Sequence, residues 1–276
     1  MTIEPKRYTA DNPLKILSLG WGVQSWTLAA MAALGEIPPV DYAIHADTTH
    51  EAEGTYKHAA KYTPWLEERG VKVRTVVAPT TSAVRPYSKT KAILIPAFTE
   101  NPAGQQGQIR RQCTSHWKIQ PIRRLIREIV GSKSRPRMVT SLQGISLDEF
   151  QRMRTSDVKY IENQYPLVDL RITRADCNAW LQDHGLDVPP KSACVFCPYH
   201  NKTAWQGLKK RGGSDWDHAV EVDEAIRDKR SLDGQDFLLY VHPHRKPLSE
   251  AISIPEDFGA EQIEFEMPCD SGHCFV

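Results

Sequence analysis

The sequence has almost no net charge, because 35 Lys and Arg residues are balanced by 34 Asp and Glu residues. A protein without a global electrostatic field is not drawn as a whole to nucleic acid or to a membrane, so a polyanionic partner must be held by a local cationic patch. The hydrophobic and charged fractions, 40% and 25%, are ordinary globular values. They exclude a disordered chain, a collagen-like fibre and a coiled coil. The length predicts one large domain, with at most a small appendage.

Long apolar runs are also lacking. The longest mostly apolar stretch, from Trp26 to Leu34, is too short to span a bilayer, and the first residues contain no hydrophobic segment typical of a secretory signal. We therefore expect a cytoplasmic protein without a membrane partner. Thiols stay reduced in that compartment, so the six cysteines are interpreted as metal ligands or reactive thiols rather than as disulfides.

Short apolar runs alternate with segments of helical spacing. Strands are predicted at 14–19, 40–46, 71–77 and 137–142, and helices are predicted from Gln24 and over 52–69. This alternation predicts a parallel α/β sheet. Residues 79–112 lack periodicity, which predicts an active-site loop or insertion. A Thr-x-x-Asp capping box at Thr173 starts a further helix, the chain after Cys197 is predicted to be helical to about Arg230, and a late strand is predicted at 237–241.

The turn after the first strand, Ser18-Leu-Gly-Trp-Gly-Val-Gln-Ser25, carries two glycines and two hydroxyl groups in front of a helix. Backbone amides in such a turn, together with a helix N-terminus, form an anion site. The turn matches neither the G-x-G-x-x-G pattern nor the Walker A pattern. From the local sequence alone, a phosphate-binding cradle and an ordinary strand-to-helix turn are equally open interpretations.

This turn resembles the PP-loop of the adenine-nucleotide α-hydrolase superfamily, in its PAPS-reductase branch, although Gln24 stands where ATP-pyrophosphatase members often carry Asp. Later segments resemble the same branch in the same order: Ala46-Asp-Thr-Thr49, Gly144-Ile-Ser-Leu-Asp-Glu149 with Arg152, and Tyr165-Pro-Leu-Val-Asp169. Ser146 replaces the arginine of the branch pattern. The resemblance covers about residues 14–200 and implies a Rossmann-like, doubly wound parallel sheet of the HUP/PP-loop type.

The resemblance implies a division of the chain and a set of nucleotide-binding residues. Residues 1–172 would form the nucleotide-binding α/β domain, and 173–276 a smaller helical, cysteine-containing region that packs on the active site. The residues implied to contact the nucleotide are Ser18, Gly20, Gly22, Gln24, Ser25, Asp47, Thr48, Gly144, Ser146 and Arg152. Asp47 has the alternative role of N-cap for the helix at 52–69, and Arg152 that of a surface salt bridge.

The cysteines form a second motif. Cys194-Val-Phe-Cys197 has the spacing of a zinc or iron–sulfur site. The segment from Cys113 to Lys118 resembles the Cys-Cys-x-x-Arg-Lys stretch of adenylylsulfate reductases that carry a [4Fe–4S] cluster, with Thr114 in place of the second cysteine.

That resemblance implies a cluster held by Cys113, Cys194 and Cys197, for which Cys274 is the expected fourth ligand and Cys269 the expected catalytic thiol. A structural zinc ion on Cys194, Cys197, His200 and a tail cysteine is the alternative. Cys177, inside a predicted helix, is interpreted as a buried core thiol.

The activity implied by the resemblance is adenine-nucleotide-dependent sulfur transfer, with ATP and Mg²⁺ as in the DNA phosphorothioation sulfur enzymes. One alternative is a sulfonucleotide reductase that releases sulfite from adenylylsulfate or PAPS, and another is a non-enzymatic nucleotide-binding module with structural zinc. A nucleic-acid or small-molecule acceptor, a sulfur donor protein and a homodimer are further expectations.

Overall fold

The computed structural model of the chain describes residues 8–83, 93–131, 136–228 and 236–253. Cys269 and Cys274 lie outside the described residues, so the roles predicted for them stay predictions. Within the described ranges no helix has the length and the apolar character needed to cross a membrane.

The described elements alternate between strands and helices over the first half of the chain. In chain order they are β1 (Leu14–Ser18), α1 (Val23–Leu34), β2 (Tyr42–Asp47), α2 (Glu53–Glu68), β3 (Val73–Val77), β4 (Phe98–Glu100), β5 (Gln106–Gln108), a π-helix (Thr114–Ile119), α3 (Gln120–Val130), β6 (Val139–Leu142), a 3₁₀-helix (Leu147–Arg152), β7 (Ile161–Gln164), α4 (Pro166–Asp169), α5 (Arg174–Asp183), α6 (Lys202–Arg211), α7 (Gly213–Ile226), β8 (Leu238–Tyr240) and α8 (Leu248–Ala251).

Five of these strands form one parallel sheet in the order β3-β2-β1-β6-β7. The predicted doubly wound α/β fold is confirmed. Strand order reverses between β1 and β6, and ligands of such sheets bind in the crevice beyond the carboxyl ends of the strands at that point. The register pairs Leu17 with both Ala43 and Leu142, so the turns that follow β1, β2 and β6 meet at one edge.

Both faces of the sheet are covered. Leu17 and Leu19 pack with α1, α2 and α5 on one face, whereas Leu14 and Ile16 pack with α3 on the other. Burial on two faces explains why β1 is a nearly continuous apolar run. Cys177 of α5 is fully buried in the first cluster, as predicted. Because α5 packs there, the 173–276 region begins against the sheet, and the boundary at residue 172 stays a prediction.

Two parts of the fold differ from the sequence-based expectation. The edge strand β7, of sequence Ile-Glu-Asn-Gln, was not predicted because only one of its residues is apolar. Residues 79–112 are not all loop, since β4 and β5 form a hairpin that pairs with the distant β8. The chain after Cys197 is helical as predicted, and the helical part is divided into two helices because Gly212 and Gly213 adopt positive φ angles of 62° and 71° between them.

Candidate functional site

A pocket lies at the carboxyl edge of the sheet, where the order of strands reverses. Four segments supply most of its lining: the turn after β1, the loop after β6, the π-helix and the loop around Cys194 and Cys197. The residues that line it are Ser18, Gly20, Gly22, Val23, Gln24, Ser25, Thr48, Ile95, Pro96, Arg111, Cys113, Thr114, Trp117, Lys118, Gln143, Gly144, Ile145, Arg152, Arg174, Lys191, Ser192, Ala193, Cys194, Phe196, Cys197 and Pro198. Eight of the ten predicted nucleotide-binding residues and three of the four predicted metal ligands are among them.

The turn after β1 is shaped by its own hydrogen bonds and by a buried tryptophan. The amide of Gly20 donates to Ser25 Oγ at 3.1 Å, and Ser25 Oγ donates to the carbonyl oxygen of Gly22 at 3.2 Å. Trp21 has a positive φ of 56° and is 1% exposed, with its ring 5.9 Å from those of Trp26 and His58. A bulky residue rarely adopts that φ, so packing of the indole must hold the turn in place.

Gly144, after β6, touches the first turn of α1. A Cβ atom at this position would lie 2.7 Å from the backbone nitrogen of Ser25 and 2.8 Å from its Cα. Real Cβ atoms do not approach backbone so closely, so glycine is required for this contact. The Gly144 of the sequence motif therefore brings the β6 loop against the turn after β1.

A polar network joins that turn to the 3₁₀-helix and to α5. The side-chain nitrogen Nε2 of Gln24 donates to Glu149 Oε2 at 3.1 Å and to Ser146 Oγ at 3.4 Å, and its side-chain oxygen Oε1 accepts from Arg174 Nη1 at 3.4 Å. Glu149 also forms an ion pair with Arg152, whose side chain is 13% exposed. The alternative role predicted for Arg152 is a surface salt bridge. The ion pair forms, but both side chains are largely buried and Arg152 lines the pocket, so its location on the surface is wrong.

Two predicted contact residues are not among those that line the pocket. Ser146 is fully buried beneath Gln24. Asp47 accepts hydrogen bonds from the Thr49 amide at 2.7 Å and from the Tyr56 hydroxyl at 2.9 Å. The alternative role of Asp47 as a helix cap is also wrong, because the N-cap of α2 is Ala52.

The three described cysteines of the predicted metal site share this pocket but do not form a metal centre in it. Cys194 Sγ lies 3.4 Å from Thr48 Oγ1. Burial raises the pKa of the Cys194 thiol, and the hydrogen bond from Thr48 and the nearby Lys118 only partly oppose this. In the part of the chain that the structure describes, no group of three or more His, Cys, Asp or Glu side chains is placed to hold a metal ion.

The described residues therefore do not by themselves supply the ligands of an iron–sulfur cluster or of the alternative zinc site. His200 follows Cys197, and its Nδ1 atom is buried without a hydrogen-bond partner in the described residues. Burial lowers the pKa of its imidazole to about 4, which favours the neutral ring, the form that ligates metals. The expected fourth ligand, Cys274, lies outside those residues.

Sequence reasoning missed a buried ion pair beside the pocket. Glu51 is 4% exposed, and its carboxylate lies 3.7 Å from Lys118 Nζ and accepts from Ser192 Oγ at 2.7 Å. The Ser192 hydroxyl also lies 2.5 Å from the carbonyl oxygen of Gly20. These contacts place the Lys118 ammonium group near the turn after β1. No local sequence signal pairs Glu51 with Lys118, because they come from different elements.

The pocket is strongly cationic although the chain is nearly neutral. Among the described residues that line it none is Asp or Glu, and five are basic: Arg111, Lys118, Arg152, Arg174 and Lys191. Glu51 and Glu149 stand next to the pocket and offset two of these charges. The local excess of positive charge suits an anion with several negative charges. It also leaves Mg²⁺ without a carboxylate ligand from the lining residues, so the ion would depend on ligand oxygens and water.

Comparison with known proteins adds little to this geometry. No family model and no curated protein matches the chain. Among solved structures, the chain is similar to phosphoadenylyl-sulfate (PAPS) reductase from Candida auris in its phosphate complex. The two share 13% sequence identity with a TM-score of 0.40, over 64% of this chain and 75% of that one. So distant a likeness does not bear on activity, which has to be argued from the pocket.

Proposed function

We propose that the chain is an enzyme that binds an adenine nucleotide in this pocket and uses ATP to activate an acceptor for sulfur transfer. One observation carries the proposal: a glycine-bearing turn, an excess of basic side chains and three thiols line a single pocket at the switch point of a parallel sheet. In parallel sheets of this architecture, ligands usually bind in a pocket with converging polar groups at the place where the strand order reverses.

The phosphates of the nucleotide are expected on the turn after β1. Ser18, Gly20, Gly22 and Ser25 lie along this turn, and the N-terminus of α1 follows it. Partial positive charge at a helix N-terminus favours bound anions. Arg152 is linked to this turn through Glu149, which accepts from Gln24. Lys118 is linked to it through Glu51, which accepts from Ser192.

The reaction that fits this arrangement has two steps. An oxygen of the acceptor attacks the α-phosphorus of ATP, and the bond from that phosphorus to the bridging oxygen breaks with its electron pair, so pyrophosphate leaves. A sulfur nucleophile then attacks the activated atom of the acceptor, and AMP leaves with the acceptor oxygen. Fixed positive groups beside the departing phosphates stabilise the charge that develops on them. Bound Mg²⁺ would supply further charge neutralisation.

The positive excess of the pocket is compatible with a nucleic-acid or a small anionic acceptor, and the thiols at the other wall are candidates to receive sulfur from a donor protein. The catalytic role of Cys269 and a homodimer belong to the same proposal.

The iron–sulfur cluster also stays a proposal, with Cys113, Cys194, Cys197 and Cys274 as ligands and zinc as the alternative. We expect Cys194→Ala to abolish bound metal after anaerobic purification, with Cys177→Ala as the matched control because that thiol is buried in the core. Iron, sulfide and zinc analysis measures this, and unchanged metal in Cys194→Ala would exclude Cys194 as a ligand.

A sulfonucleotide reductase is the second candidate, favoured by the thiols that line the pocket next to the predicted phosphate site. The deciding assay gives the purified protein either ATP with a sulfide source, or adenylylsulfate or PAPS with a thiol donor. Pyrophosphate release supports the first proposal, and sulfite release supports the second. Nucleotide binding without either product would leave a non-enzymatic binding module.

A further inference from the structure

We infer that Arg174 is a phosphate-binding residue of the pocket, and that with Arg152 it makes the site select a nucleoside polyphosphate over a monophosphate. The inference rests on the proposed function, since it requires a nucleotide on the turn after β1. Arg174 is the first residue of α5, far along the chain from that turn, and it lines the pocket.

The backbone of Arg174 is fixed on both sides. Its amide donates to Asp148 Oδ1 at 3.0 Å, and the preceding Thr173 forms a reciprocal capping box with Asp176. These bonds occupy the amides of Arg174 and Asp176. An anion in the pocket would therefore meet the guanidinium of Arg174 rather than the amides at the start of α5.

The side chain of Arg174 is oriented by Gln24. A carboxylate without a proton only accepts hydrogen bonds, so Glu149 faces the amino group of Gln24, at 3.1 Å. The carbonyl oxygen of Gln24 is thereby turned toward Arg174, whose Nη1 donates to it at 3.4 Å. Because Gln24 belongs to the first turn of α1, this bond directs the guanidinium toward the turn that is proposed to hold the phosphates.

Arg152 and Arg174 together bring more positive charge to this side of the pocket than the adjoining carboxylate offsets. Glu149 forms an ion pair with Arg152, whose Nε atom is buried without a hydrogen-bond partner in the described residues. Asp148 is exposed, and its carboxylate faces the amide of Arg174. Two guanidiniums also match several phosphate oxygens better than one.

The test compares binding of ATP, ADP and AMP to the full chain by calorimetric titration. The variants are Arg174→Gln and Arg174→Lys, and the control is Arg171→Gln, an exposed arginine just before α5 that does not line the pocket. We expect Arg174→Gln to weaken ATP binding about tenfold, since hydrogen bonds to charged groups are worth that much or more. AMP binding should change less than about twofold. The ATP affinity of Arg174→Lys should lie between those of the wild type and Arg174→Gln, because lysine keeps the positive charge but lacks the planar guanidinium with its paired donors.

The outcomes separate the inference from the proposed function. Wild-type ATP affinity in Arg174→Gln, or an equal loss for all three nucleotides, would overturn the inference while leaving nucleotide binding intact. A wild-type protein that binds none of the nucleotides would overturn the proposed function and the inference together. Thermal denaturation of each variant shows whether it folds. If Arg174→Gln does not fold, the nucleotide affinities of Arg174→Lys are compared with those of the wild-type protein instead.

Discussion

The contact between Gly144 and the first turn of α1 offers a sharp test of how the pocket is built. In Gly144→Ala, the new Cβ would lie 2.7 Å from the Ser25 nitrogen, whereas ordinary contact begins at 3.4 Å, so the two backbone segments must separate by about 0.7 Å. Overpacking of this kind costs about 1–3 kcal/mol. Replacing glycine also lowers the conformational entropy of the unfolded chain, which raises the free energy of unfolding by roughly 0.4–1 kcal/mol.

We therefore expect Gly144→Ala to lower the free energy of unfolding by about 1–2 kcal/mol. For a domain of this size, that corresponds to a melting temperature lower by roughly 2–8 °C. Nucleotide affinity should fall as well, because Ser25 and the turn after β1 move away from the β6 loop. Urea denaturation and calorimetric titration with ATP measure the two effects.

Gly22→Ala is the matched control for stability. A Cβ at Gly22 would be 3.8 Å from its nearest neighbour, and the backbone there has an ordinary φ of −85°. We expect this variant to change the free energy of unfolding by only about 0.5 kcal/mol. If Gly144→Ala proved as stable as Gly22→Ala and bound ATP with the affinity of the wild-type protein, the close approach of the two segments would be refuted.

Three further predictions concern the surrounding fold. Thr173→Ala should lower the free energy of unfolding by about 1 kcal/mol, because it removes the capping box of α5, and urea denaturation should show Thr173→Ser close to wild type. Burial raises the pKa of the Cys177 thiol to about 12, so this cysteine should resist alkylation near pH 8 until the protein unfolds; labelling of the folded protein would contradict its burial. Burial lowers the pKa of His58 to about 4 from 6.5, so between these values the unfolded state binds more protons and stability falls as the pH falls. His58→Gln should have a flatter pH dependence of stability over that range, and an unchanged slope would show that His58 does not titrate in this way.

The sequence predicted most accurately those features that depend on neighbouring residues. The run from Leu14 to Leu19 is largely apolar and forms the central strand. The Thr173 capping box forms as expected. By contrast, Asp47 ends its strand at the expected place but accepts hydrogen bonds from Thr49 and Tyr56, since a motif fixes a position and not the direction of a side chain.

By itself, the sequence determined the alternating α/β fold, the turn after β1 and the set of cysteines to be considered, because periodicity, glycine spacing and capping act over a few residues. Only the tertiary structure decided that Arg174 reaches Gln24, that Glu51 pairs with Lys118 and that β4 pairs with β8. Each of these contacts joins segments that are distant along the chain. Their energies depend on burial, on hydrogen bonds and, for Glu51 and Lys118, on the attraction of opposite charges, and no local pattern of residues encodes which segments meet.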